Sequence, residues 1–149
     1  MVRWSVLVAC VVALSGCISE ASDTTWHGDA RFTLEQRAEI EASARWMTEH
    51  AGAPSVDIVW GRIGLESCEH SIVVADLPAG TIGDSSADGC IRIDVSQGGD
   101  RVGVTVAHEL AHVRLGPCHH HGAGLMNVNV PAAMTWTAAD ESAAAGCGR

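Results

Sequence analysis

The feature that most constrains this chain is a pair of histidines four residues apart, His108 and His112. They fall within residues 101–115, which we predict to be a helix. Gly116 followed by Pro117 is a common signal for the end of a helix. Residues i and i+4 lie one turn apart on the same helix face, so both imidazoles can reach one ion at about 2.0–2.1 Å. The fold must therefore bring at least one further ligand to that face.

Glu109 directly follows the first of these histidines. A carboxylate there can take a proton from a zinc-activated water and pass it to a leaving amine, which is why hydrolytic zinc sites use this spacing. Four candidates for the third ligand come soon after the helix, namely Cys118, His119, His120 and His121. A thiolate ligand would leave an odd number of cysteines in an oxidising compartment, which counts against Cys118.

Residues 101–130 resemble the metzincin clan of zinc metallopeptidases, most nearly the small matrixin-like catalytic domains. Their pattern is HExxHxxGxxH followed by a turn that contains Met. The resemblance implies that His108 and His112 are zinc ligands and that Glu109 is the general base. It also implies that Met126 is the turn methionine. This chain departs from the pattern because its Gly and third His come one residue late, and an insertion at the helix end would make His119 the third ligand.

The resemblance also implies a fold and a function. The fold is α+β and metzincin-like: a twisted mixed β-sheet with an antiparallel edge strand, a long zinc-binding helix and a C-terminal helix. The function is a zinc-dependent endopeptidase, a hydrolase with one catalytic Zn²⁺. Its peptide or protein substrate would lie antiparallel to an edge strand between Ser71 and Thr81.

Two other functions stay open on the residues alone. One is a non-catalytic zinc-binding surface lipoprotein, which the run of residues 119–121 favours. The other is a peptide-binding module on a degenerate peptidase scaffold, against which the intact zinc motif argues. Metal stoichiometry and cleavage of a substrate discriminate between these functions and the peptidase.

The amino-terminal segment predicts export. Arg3 precedes an apolar run from Val6 to Leu14 that is too short for a permanent membrane span. The run ends in LSGC at Cys17, which resembles the lipobox of bacterial lipoproteins and implies a signal peptide, lipidation of this cysteine and cleavage before it. An ordinary secretory signal is the alternative. The expected location is the bacterial cell envelope, with the protein membrane-anchored by lipid at the outer membrane or cell surface.

The 149 residues leave room for one folded domain. We divide them into a signal peptide (1–16), a polar tether (17–30) and a single domain (31–149). Eighteen acidic residues against nine basic ones, with no basic run, exclude the electrostatic footprint of a nucleic-acid-binding protein. We expect a monomer. The acidic loop from Asp84 to Asp88 can offer oxygens to Ca²⁺, although a solvated loop is the simpler interpretation.

Four cysteines follow Cys17, which predicts two disulfides in an exported domain. Three pairings are possible. We favour the two that close local loops, which are Cys68–Cys90 and Cys118–Cys147.

Periodicity and capping signals predict the remaining elements. Thr33 and Gln36 form a capping box for a helix that ends near Gly52. The predicted strands are Val56–Trp60, Ser71–Ala75 and Cys90–Val95, and a last helix covers Thr137–Ala145. The segment between the second and third of these strands is rich in turn residues and leaves room for one short strand.

Overall fold

The computed structural model describes residues 24–53, 55–63, 68–115, 118–119, 121, 123–127 and 133–147. The predicted signal peptide and Cys17 lie outside these residues, as do His120 and the stop at Gly116 and Pro117. Within the described ranges, no helix has the length and apolar character needed to cross a membrane.

Five strands form one mixed sheet in the order β2-β1-β3-β5-β4. Strand β1 runs parallel to β2 and β3, and β3 runs parallel to β5, whereas β4 is antiparallel to its neighbour β5. The chain is therefore an α+β protein with an antiparallel edge strand, as predicted at that level. The strands are β1 Thr24–Asp29, β2 Val56–Gly61, β3 Ser71–Val74, β4 Gly83–Ser85 and β5 Cys90–Ile93.

In the part of the chain that the structure describes, four α-helices accompany the sheet: α1 Leu34–Ala51, α2 Val95–Gly98, α3 Val102–Leu115 and α4 Ala138–Gly146. Both ends of α1 confirm the prediction. The Thr33 hydroxyl accepts a hydrogen bond from the Gln36 N–H, and the Gln36 side chain accepts one from the Thr33 N–H. Gly52, at φ 62°, closes the helix in the left-handed conformation.

One face of the sheet is covered by α1 and α3. Its inward side chains, such as Trp26 and Ile91, form one buried cluster with Ile40 of α1 and Val106 of α3. Every residue from Val102 to Ala111 is buried. Helix α3 therefore lies largely in the interior of the domain, with His108 on its buried part and His112, half-buried, just beyond it.

Strand β1 corrects the predicted tether. The sequence predicts a tether over residues 17–30, but from Thr24 to Asp29 the chain is a strand hydrogen-bonded to β2 and β3. Trp26 and Gly28 point inward and are buried, whereas Thr25 and His27 are exposed. With only two inward residues, the alternation of inward and outward side chains is too short to recognise in this polar sequence. The strand is stabilised by pairing with neighbouring strands on both sides rather than by its own β-propensity.

The predicted substrate-binding edge is also wrong. Strand β3, which begins at Ser71, lies between β1 and β5 in the interior of the sheet. The edge on that side is β4, from Gly83 to Ser85. Residues 71–73 are all buried, as is typical of an interior parallel strand. Strand order depends on packing, so the sequence could not assign the edge.

Two disulfides each close a local loop of the chain. Cys68–Cys90 joins the segment before β3 to the start of β5, and Cys118–Cys147 joins the segment after α3 to the end of α4. The pairing favoured from the sequence is therefore the one in the structure.

Candidate metal centre

Three histidine side chains converge beside α3. His108 and His112 lie one turn apart on the helix, and their Nε2 atoms are 3.0 Å apart. His119 approaches from the segment after the helix, with its Nε2 atom 3.0 Å from that of His112 and 3.2 Å from that of His108. Of the three candidates for the third ligand that the structure describes, His119 is the one that joins the pair. Cys118 is in a disulfide, and His121 is exposed and not in the group.

The spacing of these nitrogens fits a metal ion. In a tetrahedral site with metal–nitrogen bonds of about 2.0–2.1 Å, two ligand nitrogens lie about 3.3 Å apart. The three Nε2 separations of 3.0–3.2 Å are close to that value. Imidazole nitrogens suit divalent transition metals, and the three side chains can hold such an ion.

The tautomer of His108 is set by its other ring nitrogen. His108 Nδ1 lies 2.6 Å from the carbonyl oxygen of Leu125. A carbonyl oxygen only accepts, so Nδ1 carries the proton and donates it, which leaves the lone pair of Nε2 facing the cluster. This partner orients the ring as an outer-shell group does in metal sites.

Burial lowers the pKa of His108, and the neighbouring charge of His119 lowers it further, against opposing contributions from the Leu125 carbonyl and Asp140. The side chain is only 3% exposed. Only the neutral imidazole binds a metal, so this shift keeps the ligand available at lower pH than for an exposed histidine.

The turn that carries the Leu125 carbonyl is held by the start of α4. Asp140 Oδ1 accepts a hydrogen bond of 2.7 Å from the Met126 N–H, while its Oδ2 atom accepts from the N–H and hydroxyl of Thr137, the N-cap of α4. Gly124 precedes the turn at φ 132°, and a Cβ atom there would meet the Asp140 carboxylate. The turn therefore needs a glycine at this close approach.

Met126, the residue implied as the turn methionine, lies in this turn. Its side chain is 1% exposed. It belongs to a buried cluster with Met47 of α1 and with Ala107 and Ala111, the α3 residues that precede the two helical histidines. Met126 thus supports the turn and α3 together.

Glu109 lies buried next to the three-histidine group. It is 5% exposed, and its Oε2 atom accepts a hydrogen bond of 2.7 Å from the Ser85 hydroxyl. Burial raises the pKa of Glu109, against opposing contributions from the Ser85 hydrogen bond and the charge of His112. Because Ser85 ends β4, the edge strand adjoins this carboxylate. A buried carboxylate with a raised pKa is suited to accept and release a proton near neutral pH.

The acidic loop offered for Ca²⁺ is occupied by protein partners. Asp84 pairs with the Arg92 guanidinium, and Asp88 accepts hydrogen bonds from the Ser86 hydroxyl and the Cys90 N–H. Among the described residues, His108, His112 and His119 form the group of potential metal ligands that lie close enough together to share one ion.

Sequence reasoning missed two polar supports of the site. Ser85 carries no local signal, because its partner Glu109 is 24 residues away. Asp140 is visible in the sequence only as the capping partner of Thr137, and that signal does not disclose its second bond, to the Met126 N–H. Both contacts follow from tertiary packing.

Neither the protein-family models nor the curated proteins compared with this chain give a match. The resemblance to the metzincins therefore depends on the residues quoted for it.

Proposed function

We propose that this protein is a zinc-dependent, metzincin-like endopeptidase in which His108, His112 and His119 bind one zinc ion. The observation that carries the proposal is the convergence of three imidazole nitrogens beside a buried carboxylate. The nitrogens lie 3.0–3.2 Å apart, and Glu109 follows the first ligand on the same helix. Three protein ligands with a nearby general base are the composition of a catalytic rather than a structural zinc site.

Zinc bound at this site supplies Lewis acidity, which makes a water molecule more acidic and polarises a peptide carbonyl. The Glu109 carboxylate takes the proton from the attacking water and delivers it to the leaving amine nitrogen. Its raised pKa suits both steps, because the same group must accept a proton and then lose it. The Ser85 hydroxyl holds Oε2 and thereby orients the carboxylate.

The substrate peptide, in this proposal, lies antiparallel along β4. Two observations support that place. Strand β4 is the last strand in the sheet order, so one of its edges pairs with β5 and the opposite edge is the edge of the sheet. Its last residue, Ser85, contacts Glu109, so a peptide added to this edge passes the carboxylate. Main-chain hydrogen bonds to an edge strand give affinity without demanding a particular sequence.

The test is Glu109→Gln in the oxidised full chain, with Glu49→Gln as the matched control because Glu49 is exposed at the end of α1. Zinc per chain is measured by elemental analysis, and cleavage of an unfolded protein is followed by the release of new amino termini. We expect one zinc in all three proteins and cleavage lost only in Glu109→Gln. Cleavage at the parent rate by zinc-loaded Glu109→Gln would contradict the peptidase. More than one metal per chain without cleavage would favour the non-catalytic zinc-binding lipoprotein.

We also propose that Cys17 anchors the protein to the bacterial envelope through lipid. The LSGC sequence at residues 14–17 supports this, and two disulfides are typical of an exported domain. Cys17→Ser should move the protein from the membrane fraction to the soluble fraction of expressing bacteria and abolish labelling by a radioactive fatty acid. A wild-type chain that takes up no label would contradict the anchor.

A further inference from the structure

We propose that α4 positions the metal centre from both of its ends, and that the Cys118–Cys147 disulfide holds His119 in the ligand position. The inference depends on metal binding by the three histidines, which is part of the proposed function. It assigns a role to two cysteines and to a helix that contribute no ligand themselves.

His119 differs from the other ligands in what holds it. His108 and His112 are presented by a helix, so their spacing is set by its backbone. His119 is exposed and belongs to no helix or strand. Its neighbour Cys118 is covalently bonded to Cys147, the C-cap residue of α4. A covalent bond to the adjacent residue restricts where the His119 backbone can go, and thereby reduces the entropy that metal binding costs.

The first turn of α4 reaches the metal centre by a second route. Asp140 accepts a hydrogen bond from the Met126 N–H, and the carbonyl of the preceding residue, Leu125, accepts the one from His108 Nδ1. Asp140 is fully buried, so this contact is shielded from water. The short helix Ala138–Gly146 is thus connected at its end to the residue before His119 and at its start to the turn that hydrogen-bonds His108.

The other disulfide provides a matched control. Cys68–Cys90 closes a loop of similar length, with a sequence separation of 22 against 29. Neither of its cysteines is adjacent to a ligand of the three-histidine group. Removing either disulfide releases a comparable restraint on the unfolded chain. Only Cys118–Cys147 is expected to affect the metal.

The first experiment compares Cys118→Ser/Cys147→Ser with Cys68→Ser/Cys90→Ser in the full chain. Replacing both cysteines leaves no thiolate that could bind the metal itself. Zinc affinity is measured by competition with a chromophoric chelator, and the coordination of Co²⁺ by its visible absorption. We expect the affinity to fall about 10–100-fold in the first variant, as for other outer-shell changes, and to stay within twofold in the second. Equal affinity in both variants would overturn the proposal.

A double-mutant cycle with His119→Ala separates positioning from general stability. If the disulfide acts through this ligand, removing Cys118–Cys147 causes no further loss of zinc affinity once His119 is replaced. A loss of the same size in both backgrounds would overturn the proposal, because the effect would then bypass the ligand.

A third measurement needs no variant and stands even if a substituted chain fails to fold. Coupling between metal and disulfide is reciprocal, so zinc should protect Cys118–Cys147 from a water-soluble phosphine reductant and leave Cys68–Cys90 unaffected. Alkylation and peptide mapping follow each bond. Equal protection of both bonds would overturn the inference. A wild-type chain that binds no metal overturns the proposed function as well, whereas binding that is independent of the disulfide overturns this inference alone.

Discussion

Single hydrogen bonds set the tautomer or the orientation of residues in the candidate metal centre. The Leu125 carbonyl sets which nitrogen of His108 carries the proton, and the Ser85 hydroxyl engages one oxygen of Glu109. Both partners are needed because a buried polar group without a hydrogen bond costs about 1–3 kcal/mol. The hydrogen-bond partners of the histidine and the carboxylate are therefore as necessary to the site as the two side chains.

Ser85→Ala should lower kcat of the proposed peptidase about tenfold while KM and zinc content stay unchanged, because Glu109 loses the bond that orients it. Ser85→Thr keeps a hydroxyl and should restore most of the rate. Ser86→Ala is the control, since that hydroxyl contacts Asp88 and Cys90 instead. Steady-state kinetics on a quenched peptide measure all three variants. An unchanged kcat in Ser85→Ala would contradict the orienting role.

The metal-free chain should lose stability as the pH falls below about 6.5, the ordinary histidine pKa. The folded state holds the pKa of His108 below its ordinary value of 6.5, so the unfolded chain binds this proton first. The loss continues until the pH passes the lowered pKa of the folded state. His108→Gln removes this part of the pH dependence, and His27→Gln, on the exposed side of β1, is the control. Urea denaturation between pH 5 and 8 tests it, and identical slopes for His108→Gln and the wild type would contradict the prediction.

Close packing of α1 against α3 limits the size of the side chains between these helices. A Cβ atom on Gly103 would come within 2.9 Å of Ser43 Oγ and 3.2 Å of Glu39 Cβ. Ser43 is itself fully buried and donates to the Glu39 carbonyl. The two helices are thus so close at this point that a methyl group added to α3 would have to displace its neighbours on α1.

Gly103→Ala should destabilise the fold by about 1–3 kcal/mol, because the added methyl group forces α1 away from α3. Gly146→Ala is the matched control: it also lies in a helix, but a Cβ atom there meets nothing within 4 Å. The control should change stability by less than about 1 kcal/mol, in the stabilising direction. Chemical denaturation gives both values. Equal effects at the two positions would contradict the close approach.

Across the whole molecule, the candidate metal centre joins parts of the chain that are far apart in sequence. It gathers α3, the segment with His119, the turn at Leu125 and the start of α4 at Asp140, while Ser85 reaches it from the sheet edge. An ion that binds this assembly and not the unfolded chain stabilises the fold by mass action.

Free zinc at about 100 times its dissociation constant should raise the free energy of unfolding by about 2.7 kcal/mol, and a chelator should remove that gain. His119→Ala should lose most of the zinc-dependent increment, because it removes a ligand. His50→Ala should keep all of it, because His50 stacks on Trp46 and is not in the metal group. Thermal denaturation with and without zinc measures the increment. The same increment in His119→Ala would contradict the three-ligand site.

Features that depend on neighbouring residues were determined by the sequence itself. Helical geometry places His108 and His112 on one face whatever the surroundings. The capping box at Thr33 specifies where α1 begins, because both bonds lie within one turn. The disulfides span longer separations of 22 and 29 residues. Their pairing was favoured because shorter loops cost less entropy to close, and both bonds are present.

Only the tertiary structure decided the features that depend on long-range packing. It brought His119, of the candidates that the structure describes, to the helical histidine pair, placed Ser85 against Glu109, and made β4 rather than the β3 region the edge. It also turned the end of the predicted tether into β1, through pairing with strands on both sides. The physical reason is common to all four: local spacing and capping act within a few residues, whereas strand order and side-chain partners across the domain are set by how the whole chain buries its apolar surface.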